Sequence, residues 1–472
     1  MYRLIIVTAI FLVLFTYSGH GQAQPNDPAD RSVPSAGPAM KAPGSFLSLQ
    51  QAIRLGLAHH PLIERSRSSS RVARAITKQT QGERYPWLEA SVAGASGSLR
   101  IITSDGRTIH DRGGHGFDPG GALPQHNQNM LTGGLILNQL ITDFGYTAHR
   151  ILANQAKESA TEKEILTNKA LVILNVQKAY LNCLLQERLV RLAGETVTRR
   201  SAVRDQIAVL HKHNLKSKVD LDLVNVEVSN AELSLIKARN DLNQYMATLN
   251  NAMGVEGPGR YDLEPISVDT SRVSEVEPLV EEGLRHRPEL LEGRDRLQVT
   301  AELLKAVKAL NFGSLSGVGT IGLTKYWDVH SSGIHDDEIA PFWGLGATAR
   351  VPLFTGFKLA NQAAEARHLN GEAEHDLQNL ANEVILQIIR AHLTQTTNAE
   401  QVALERERVS YANEALTLAQ ERYRLGLSPI VEVIRGTTTL FEAESRLLEA
   451  QYLYKMSEAA VAYAAGQDYR KY

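Results

Sequence analysis

The feature that most constrains the fold is an internal duplication. Asn-Leu-Lys-Ser-Lys-Val-Asp-Leu at 214–221 aligns without a gap on Gly-Leu-Ser-Pro-Ile-Val-Glu-Val at 426–433. The same offset places Gly254, which ends Leu-Asn-Asn-Ala-Met-Gly, on Gly466, which ends Ala-Tyr-Ala-Ala-Gly. A repeat on this scale indicates one structural unit used twice.

Two further matches extend the repeat upstream. Thr-Asp-Phe-Gly at 142–145 matches Leu-Phe-Thr-Gly at 353–356, and His-His-Pro at 59–61 matches His-Arg-Pro at 286–288. Each half therefore has the same predicted order: a helix, two strands around a loop, a very long helix, a tight turn and another helix. The loop between the strands is longer in the first half.

The repeat predicts the following divisions of the chain: a signal peptide at 1–23, a disordered leader at 24–45, the first repeat at 46–254, a linker at 255–277, the second repeat at 278–466 and a C-terminal tail at 467–472. The predicted strands lie at about 85–99, 130–143, 312–327 and 341–354, and the predicted helical tips at about 212–218 and 425–429.

The N-terminus has the pattern of a secretory signal peptide. A basic start at Arg3 precedes an uncharged apolar run from Leu4 to Phe15, and Gly-Gln-Ala at 21–23 suits cleavage after Ala23. An uncleaved N-terminal anchor is the alternative interpretation. The sequence thus predicts an exported protein.

Composition excludes several other functions. The chain has 50 basic and 52 acidic residues and a net charge of −2, which gives no reason to expect nucleic-acid binding. Its single cysteine, Cys183, cannot form an intrachain disulfide and is interpreted as buried filler. The sequence has no Gly-rich phosphate loop, no Gly-x-Ser-x-Gly and no His-Glu-x-x-His, so no enzyme is predicted.

The helical stretches are unusually long and carry a strict seven-residue period. No proline interrupts 146–211 or 357–425, and about 65 helical residues span roughly 100 Å. After each tip a row of large residues recurs every seven positions: Leu221, Val228, Leu235, Leu242 and Leu249, then Val433, Leu440, Leu447, Tyr454 and Val461. A row of mostly small residues lies three positions later, which favours close helix packing. An ordinary soluble coiled-coil bundle explains these rows equally well.

The predicted strands alternate in polarity. Apolar residues take every second position near the second strand pair: Leu315, Ile321 and Leu323, then Trp343, Leu345, Ala347, Ala349, Val351 and Leu353. Strands of this length with aromatic ends are typical of a transmembrane barrel, although a half-buried sheet under helices is the open alternative. Because four strands are too few to close a barrel, strands in lipid would require several copies of the chain.

The closing segment, YRLGLSPIVEVIRGTTTLFEAESRLLEAQYLYKMSEAAVAYAAG, resembles the last hairpin of the TolC-like outer-membrane efflux proteins. LSLQQAIRLGLAHHPLIERSRSSSRVARA resembles their opening helix, and Phe-Gly at 144–145 also fits. The resemblance covers about 46–466. It implies an α+β membrane protein that assembles as a homotrimer in the outer membrane, with four strands per copy in one twelve-stranded β-barrel and the long helices in a periplasmic α-helical barrel. It further implies a passive duct, without cofactors, that docks with a periplasmic adaptor and an inner-membrane transporter.

The resemblance also implies roles for residues at the tips. The tip turns and adaptor contacts would be Asn214, Leu215, Gly426, Leu427 and Pro429. The candidate gate consists of residues that match or replace the family's tip residues: Asp220, Glu432, Tyr423, Arg435 and Ser428.

Two of these residues depart from the family pattern. Ser428 stands where the family has an arginine, and Arg435 stands where it has a second acid. A local pair of Glu432 with Arg435 is one expectation. The alternative for Asp220 and Glu432 is that they are acids favoured at helix starts by the helix dipole.

The histidines are interpreted as solvent-exposed residues, because none has a compact ligand spacing: His110, His115, His211, His213 and His335. The rival function is a periplasmic coiled-coil adaptor or scaffold. The transported substrate, the class of pump and the role of the outer loops cannot be read from the sequence.

Overall fold

The computed structural model describes residues 46–98, 127–257, 259–269, 275–328 and 338–470. The predicted signal peptide, the predicted leader and both strand loops lie outside the described residues. So do His110, His115 and His335.

Helices dominate the described residues. In chain order they are α1 (Leu49–His59), α2 (Pro61–Gly82), α3 (Tyr146–Lys212), α4 (Lys218–Ala252), α5 (Val276–His286), α6 (Pro288–Ala309), α7 (Lys358–Arg424) and α8 (Ile430–Ala464). The strands are β1 (Phe46–Leu47), β2 (Trp87–Ser98), β3 (Asn127–Thr142), β4 (Asp262–Leu263), β5 (Ser314–Asp328) and β6 (Glu338–Arg350).

The two halves match helix for helix. α3 and α7 each have 67 residues, and α4 and α8 each have 35. α1 and α5 have 11 residues each, and α2 and α6 have 22. The duplication seen in the sequence is therefore a duplication of the backbone.

Left-handed residues end and begin the long helices at equivalent positions. Gly254 (φ 66°) follows the end of α4 and Gly466 (φ 70°) follows the end of α8, where glycine adopts positive φ without a Cβ clash. Before the long helices the left-handed pairs are 144–145, which reads Phe-Gly, and 356–357, which reads Gly-Phe. Both repeats therefore have two left-handed residues before the long helix, and the glycine is the second of the two in the first repeat and the first in the second repeat.

Four strands form one antiparallel sheet in the order β2-β3-β5-β6. The pairing of β3 with β5 joins the two repeats, and β2 and β6 are left as the edges. β6 ends at Arg350, short of the predicted end near 354, so Val351 and Leu353 lie outside the strand. Pro352 has no N–H to donate to a ladder, which explains the earlier end.

One face of this sheet is apolar and exposed. Leu135 lies opposite Ile321, and Ile321 lies opposite Trp343, in a row that crosses three strands. Ten large apolar residues on this face are exposed: Leu88, Val92, Leu131, Leu135, Leu137, Ile321, Leu323, Ile339, Trp343 and Leu345. The other face is more polar, with Thr132 and Thr324 hydroxyl oxygens 3.2 Å apart. The two faces of the sheet therefore differ in polarity, as the alternation in the sequence predicts.

A buried core lies where the short strands meet α3. The fully buried Tyr180 places its hydroxyl 2.9 Å from the carbonyl oxygen of Leu47 and 3.0 Å from that of Glu264. Cys183 is buried in the same cluster, and burial raises the pKa of its thiol to about 12. The interpretation of this cysteine as buried filler agrees with its position.

The long helices form two antiparallel hairpins, α3 with α4 and α7 with α8. The hairpins lie side by side through α3 and α8, whereas α4 scarcely meets α8. The resulting lateral order is α7, α8, α3, α4, with α4 and α7 at the two flanks.

Candidate functional site

The first tip is a tight turn between α3 and α4. Asn214 adopts a left-handed conformation (φ 56°), and its N–H donates to the carbonyl of His211 over 2.9 Å. The N–H of Leu215 donates to the carbonyl of Leu210 over 2.9 Å. This pair of bonds is a Schellman motif, which satisfies carbonyls left free at the helix end.

The second tip repeats this geometry between α7 and α8. Gly426 has φ 75°, its N–H donates to the carbonyl of Tyr423 over 3.0 Å, and the N–H of Leu427 donates to that of Arg422 over 2.8 Å. Pro429 lies at the N-cap of α8. Its carbonyl accepts from the Glu432 N–H over 3.1 Å.

The two tips touch within one chain. The Lys216 ammonium of the first tip lies 4.0 Å from the ring centroid of Tyr423 at the end of α7, a cation–π contact. Burial, and secondly the negative charge of Asp220, raise the pKa of the Tyr423 hydroxyl. The Asp220 carboxylate is therefore close enough to act on the Tyr423 hydroxyl.

The candidate acids occupy the first turns of α4 and α8. The Asp220 N–H donates to the Ser217 hydroxyl over 3.1 Å, which is a helix N-cap contact. The Glu432 carboxylate lies 3.9 Å from the Arg422 guanidinium, so its ion pair among the described residues is with Arg422; a pair with Arg435 stays a prediction. Glu432 pairs with Arg422 because the turn places the last residues of α7 beside the start of α8. Both side chains are about half exposed, and such a pair contributes only about 0–1 kcal/mol.

Two hydroxyls at the second tip are buried. The Tyr423 hydroxyl oxygen and the Ser428 Oγ have no hydrogen-bond partner among the protein atoms of the described residues. Ser428, which replaces the family's arginine, thus makes no polar contact across the tips here. The positive charge near Tyr423 comes from Lys216 instead.

An apolar cluster holds the hairpins together above the tips. Its members come from both hairpins: Ile207, Val224, Ala412, Leu416, Ile430, Val433, Leu440 and Ala443. A Cβ on Gly436 would lie 3.2 Å from the Leu416 Cα, so a glycine is needed where α8 approaches α7 this closely. The contact between the hairpins next to the tips, the seam, is therefore apolar and closely packed.

Sequence reasoning missed one residue in this seam. Arg200 on α3 is 7 % exposed, and it pairs with Glu227 of α4 at 2.7 Å. It occupies the seven-residue row that also contains Ile207 and Ala193. The available signal in the sequence is a charge in an otherwise apolar seven-residue row of α3.

One of the histidines considered in the sequence makes a contact within the first tip. His211 Nδ1 lies 3.0 Å from the Lys216 carbonyl oxygen, so this contact links the end of α3 to the turn of the first tip. Within the described ranges no three histidine, cysteine or acidic residues group as metal ligands. Across that same part of the chain, no helix has both the length and the apolar composition to cross a membrane.

Comparison with known proteins adds a family. The model of the family described as outer membrane efflux protein matches residues 52–255 and 279–467. Among curated proteins, the outer membrane protein TolC of Escherichia coli strain K12 is 22 % identical over 351 residues, covering 72 % of this chain and 70 % of that protein.

Solved structures share the fold. A structure of CusC has a TM-score of 0.74 at 16 % identity, covering 89 % of this chain and 92 % of that one. The outer membrane protein VceC of Vibrio cholerae has a TM-score of 0.71 at 16 % identity, covering 89 % and 96 %.

Proposed function

Since the chain belongs to the outer membrane efflux protein family, we propose that three copies of it assemble into one channel that takes solutes from the periplasm. The chain is an outer-membrane exit duct, with its long helices on the periplasmic side. The family is one of channels rather than enzymes. The proposal adds the number of copies, the gate and the partner proteins.

The observation that carries the assembly is a pair of exposed apolar rows on the two flanking helices. On α4 the row recurs every seven residues and is more than half exposed: Val219 (65 %), Val226 (57 %) and Leu233 (56 %). On α7 a row of the same period is equally exposed: Leu404 (66 %), Tyr411 (67 %), Leu418 (62 %) and Leu425 (63 %). Exposed apolar rows of this extent favour a partner surface.

The rows fit each other when α4 of one copy lies against α7 of the next. α4 leaves the tip and α7 returns to it, so these neighbours are antiparallel. Val219 and Leu425 stand at the same depth beside the tips, and seven residues along each helix Val226 meets Leu418. The surfaces on the two flanks differ, so the contact is head-to-tail and generates a ring.

The sheet supports the same arrangement. β2 and β6 are edges whose outer backbone groups have no strand partner among the described residues, and a neighbouring copy would supply one. Three copies of four strands give the twelve strands that the family resemblance implies. The exposed apolar face would then meet lipid.

The tips are proposed as the gate and the docking site. Three copies would place Asp220, Glu432 and Arg435 in rings at the entrance, where the acids favour cations and Arg435 opposes them. Leu215 (68 % exposed) and Leu427 (67 % exposed) offer an apolar surface for a periplasmic adaptor. An inner-membrane transporter would supply the energy.

Cysteine cross-linking tests the ring. A chain carrying Val226→Cys with Leu418→Cys should form disulfide-linked trimers on oxidation in outer membranes, because these positions face each other between copies. Val226→Cys with Tyr411→Cys is the control, since it is one heptad, about 10 Å, out of register. Cys183 is buried and will not compete. A soluble monomer that does not conduct in planar bilayers would favour a periplasmic scaffold instead.

Ion selectivity tests the gate. Asp220→Asn with Glu432→Gln should lower the preference for cations, measured as the reversal potential in a potassium chloride gradient. Arg435→Gln should raise that preference, because it removes the opposing charge. Reversal potentials that stay the same in both variants would contradict the gate.

A further inference from the structure

Arg200 is a buried charge in the seam between the two hairpins. Ile207, Arg200 and Ala193 follow one another at seven-residue intervals on α3, and all three are less than a tenth exposed. A single polar residue in an apolar row of a coiled coil lowers stability but selects one register of the helices.

The guanidinium of Arg200 joins three helices. Nη1 lies 2.7 Å from the Glu227 carboxylate and donates to the Glu227 carbonyl over 2.9 Å, both on α4. Nη2 donates to the Thr438 hydroxyl of α8 over 3.1 Å. Arg200 therefore connects the first hairpin with the second, which a Lys ammonium cannot do with the same fork geometry.

The side chains around Arg200 are more polar than those nearer the tips. Toward the tips, the seam is the apolar cluster around Ile207 and Val433. Beside Arg200 there is a cavity of about 280 Å³, lined also by Thr196, Asn230, Ser234 and Glu442. The cavity thus separates α4 from α8 here, and the Arg200 guanidinium contacts both helices across it.

We propose that Arg200 is a positioning residue that holds the second hairpin against the first and so keeps the tips in contact. The inference rests on the proposed channel function, because its consequence is a change in gating. Without the hydrogen bonds of the Arg200 guanidinium to α4 and α8, the second hairpin can take other positions along the apolar seam. The tips then separate more often.

The decisive variant carries Arg200→Met, which fills the site with an apolar side chain. Removing one partner of a buried ion pair leaves an unpaired charge, so Arg200→Met is combined with Glu227→Gln, and the trimer of this double variant should remain intact. Loss of a charged hydrogen bond across the seam should raise the open probability in planar bilayers roughly tenfold. A merely structural role predicts a less stable trimer with unchanged gating instead.

Two further variants sharpen the test. Thr438→Val removes only the bond to α8 and should raise the open probability less than the double variant does; it also serves if the double variant does not fold. Arg199→Gln is the matched control, because Arg199 pairs with Glu444 across the same seam at 2.9 Å but is 43 % exposed. It should gate as the wild type does.

The outcomes are separable. If the wild type conducts and the double variant or Thr438→Val gates identically to it, the inference is overturned while the channel stands. An equal rise in Arg199→Gln would also overturn it, since the effect would then not be specific to Arg200. A wild type that never conducts would instead reject the proposed function.

Discussion

Individual ionisable residues join α3 to α6 near the sheet. Glu302 on α6 lies 2.7 Å from His149 Nδ1 of α3 and 2.7 Å from Lys305 Nζ. The hydrogen bond from Lys305, and then that from His149, hold the pKa of Glu302 below its ordinary value of 4.5. Nearby Glu292 is the opposite case, because burial raises its pKa.

These two shifts predict opposite pH dependences. Glu302 stabilises the fold above pH 4.5, and that stabilisation is lost as the pH falls through its lowered pKa. The stability advantage of the wild type over Glu302→Gln should therefore shrink on acidification, as measured by thermal unfolding between pH 6 and pH 3. For Glu292→Gln the difference should change in the opposite direction, because a raised pKa favours the fold at low pH. Parallel curves for both variants would contradict the assignment.

At the scale of elements, the turns and strands follow from local sequence. Asn214 and Gly426 end their helices in the same Schellman geometry, and theirs is one of four pairs of left-handed positions that recur in both repeats. The strand alternation also has a local cause, because every second side chain points to the same face. The pairing of β3 with β5, which joins the two repeats, cannot be predicted from residues that are neighbours in the chain.

The twin turns give a matched pair of substitutions. Gly426→Ala should destabilise the second tip by about 1 kcal/mol, because a Cβ is strained at φ 75° even with open space around it. Asn214→Gly should leave the first tip unchanged or slightly more stable. Amide hydrogen exchange at the end of α7 should then quicken about fivefold in Gly426→Ala only. Equal exchange at both tips would show that the turn conformation is not what limits opening.

At the scale of the whole molecule, a single chain leaves large apolar surfaces uncovered. Its flanking helices expose apolar rows and its sheet exposes an apolar face. Burying such surface stabilises by about 25 cal/mol per Å², so association is the favourable outcome. The family resemblance, the fold class, the outer-membrane location and the exit-duct function that the sequence predicted are confirmed by the family match and the shared fold. The domain limits, the gate and the adaptor site stay predictions.

A single charge should break this assembly. Leu418→Glu places an unpaired carboxylate in each contact between α4 and α7, and burying it there is costly. Since Leu418 is 62 % exposed within one chain, the protomer itself should keep its helical circular dichroism. Sedimentation in detergent should show monomers for Leu418→Glu and trimers for Gln420→Glu, whose side chain lies away from the row. Trimers of Leu418→Glu would place the contact elsewhere.

The sequence by itself determined the duplication, the long helices, the tip turns at Asn214 and Gly426 and the alternating strands. These depend on residues that are neighbours in the chain, where helix period, turn chemistry and strand period act directly. Only the tertiary structure decided that Glu432 faces Arg422, that Lys216 covers Tyr423 and that Arg200 spans both hairpins. Such contacts join side chains far apart in sequence or across a turn, so they depend on how rigid helices pack, which no local pattern encodes.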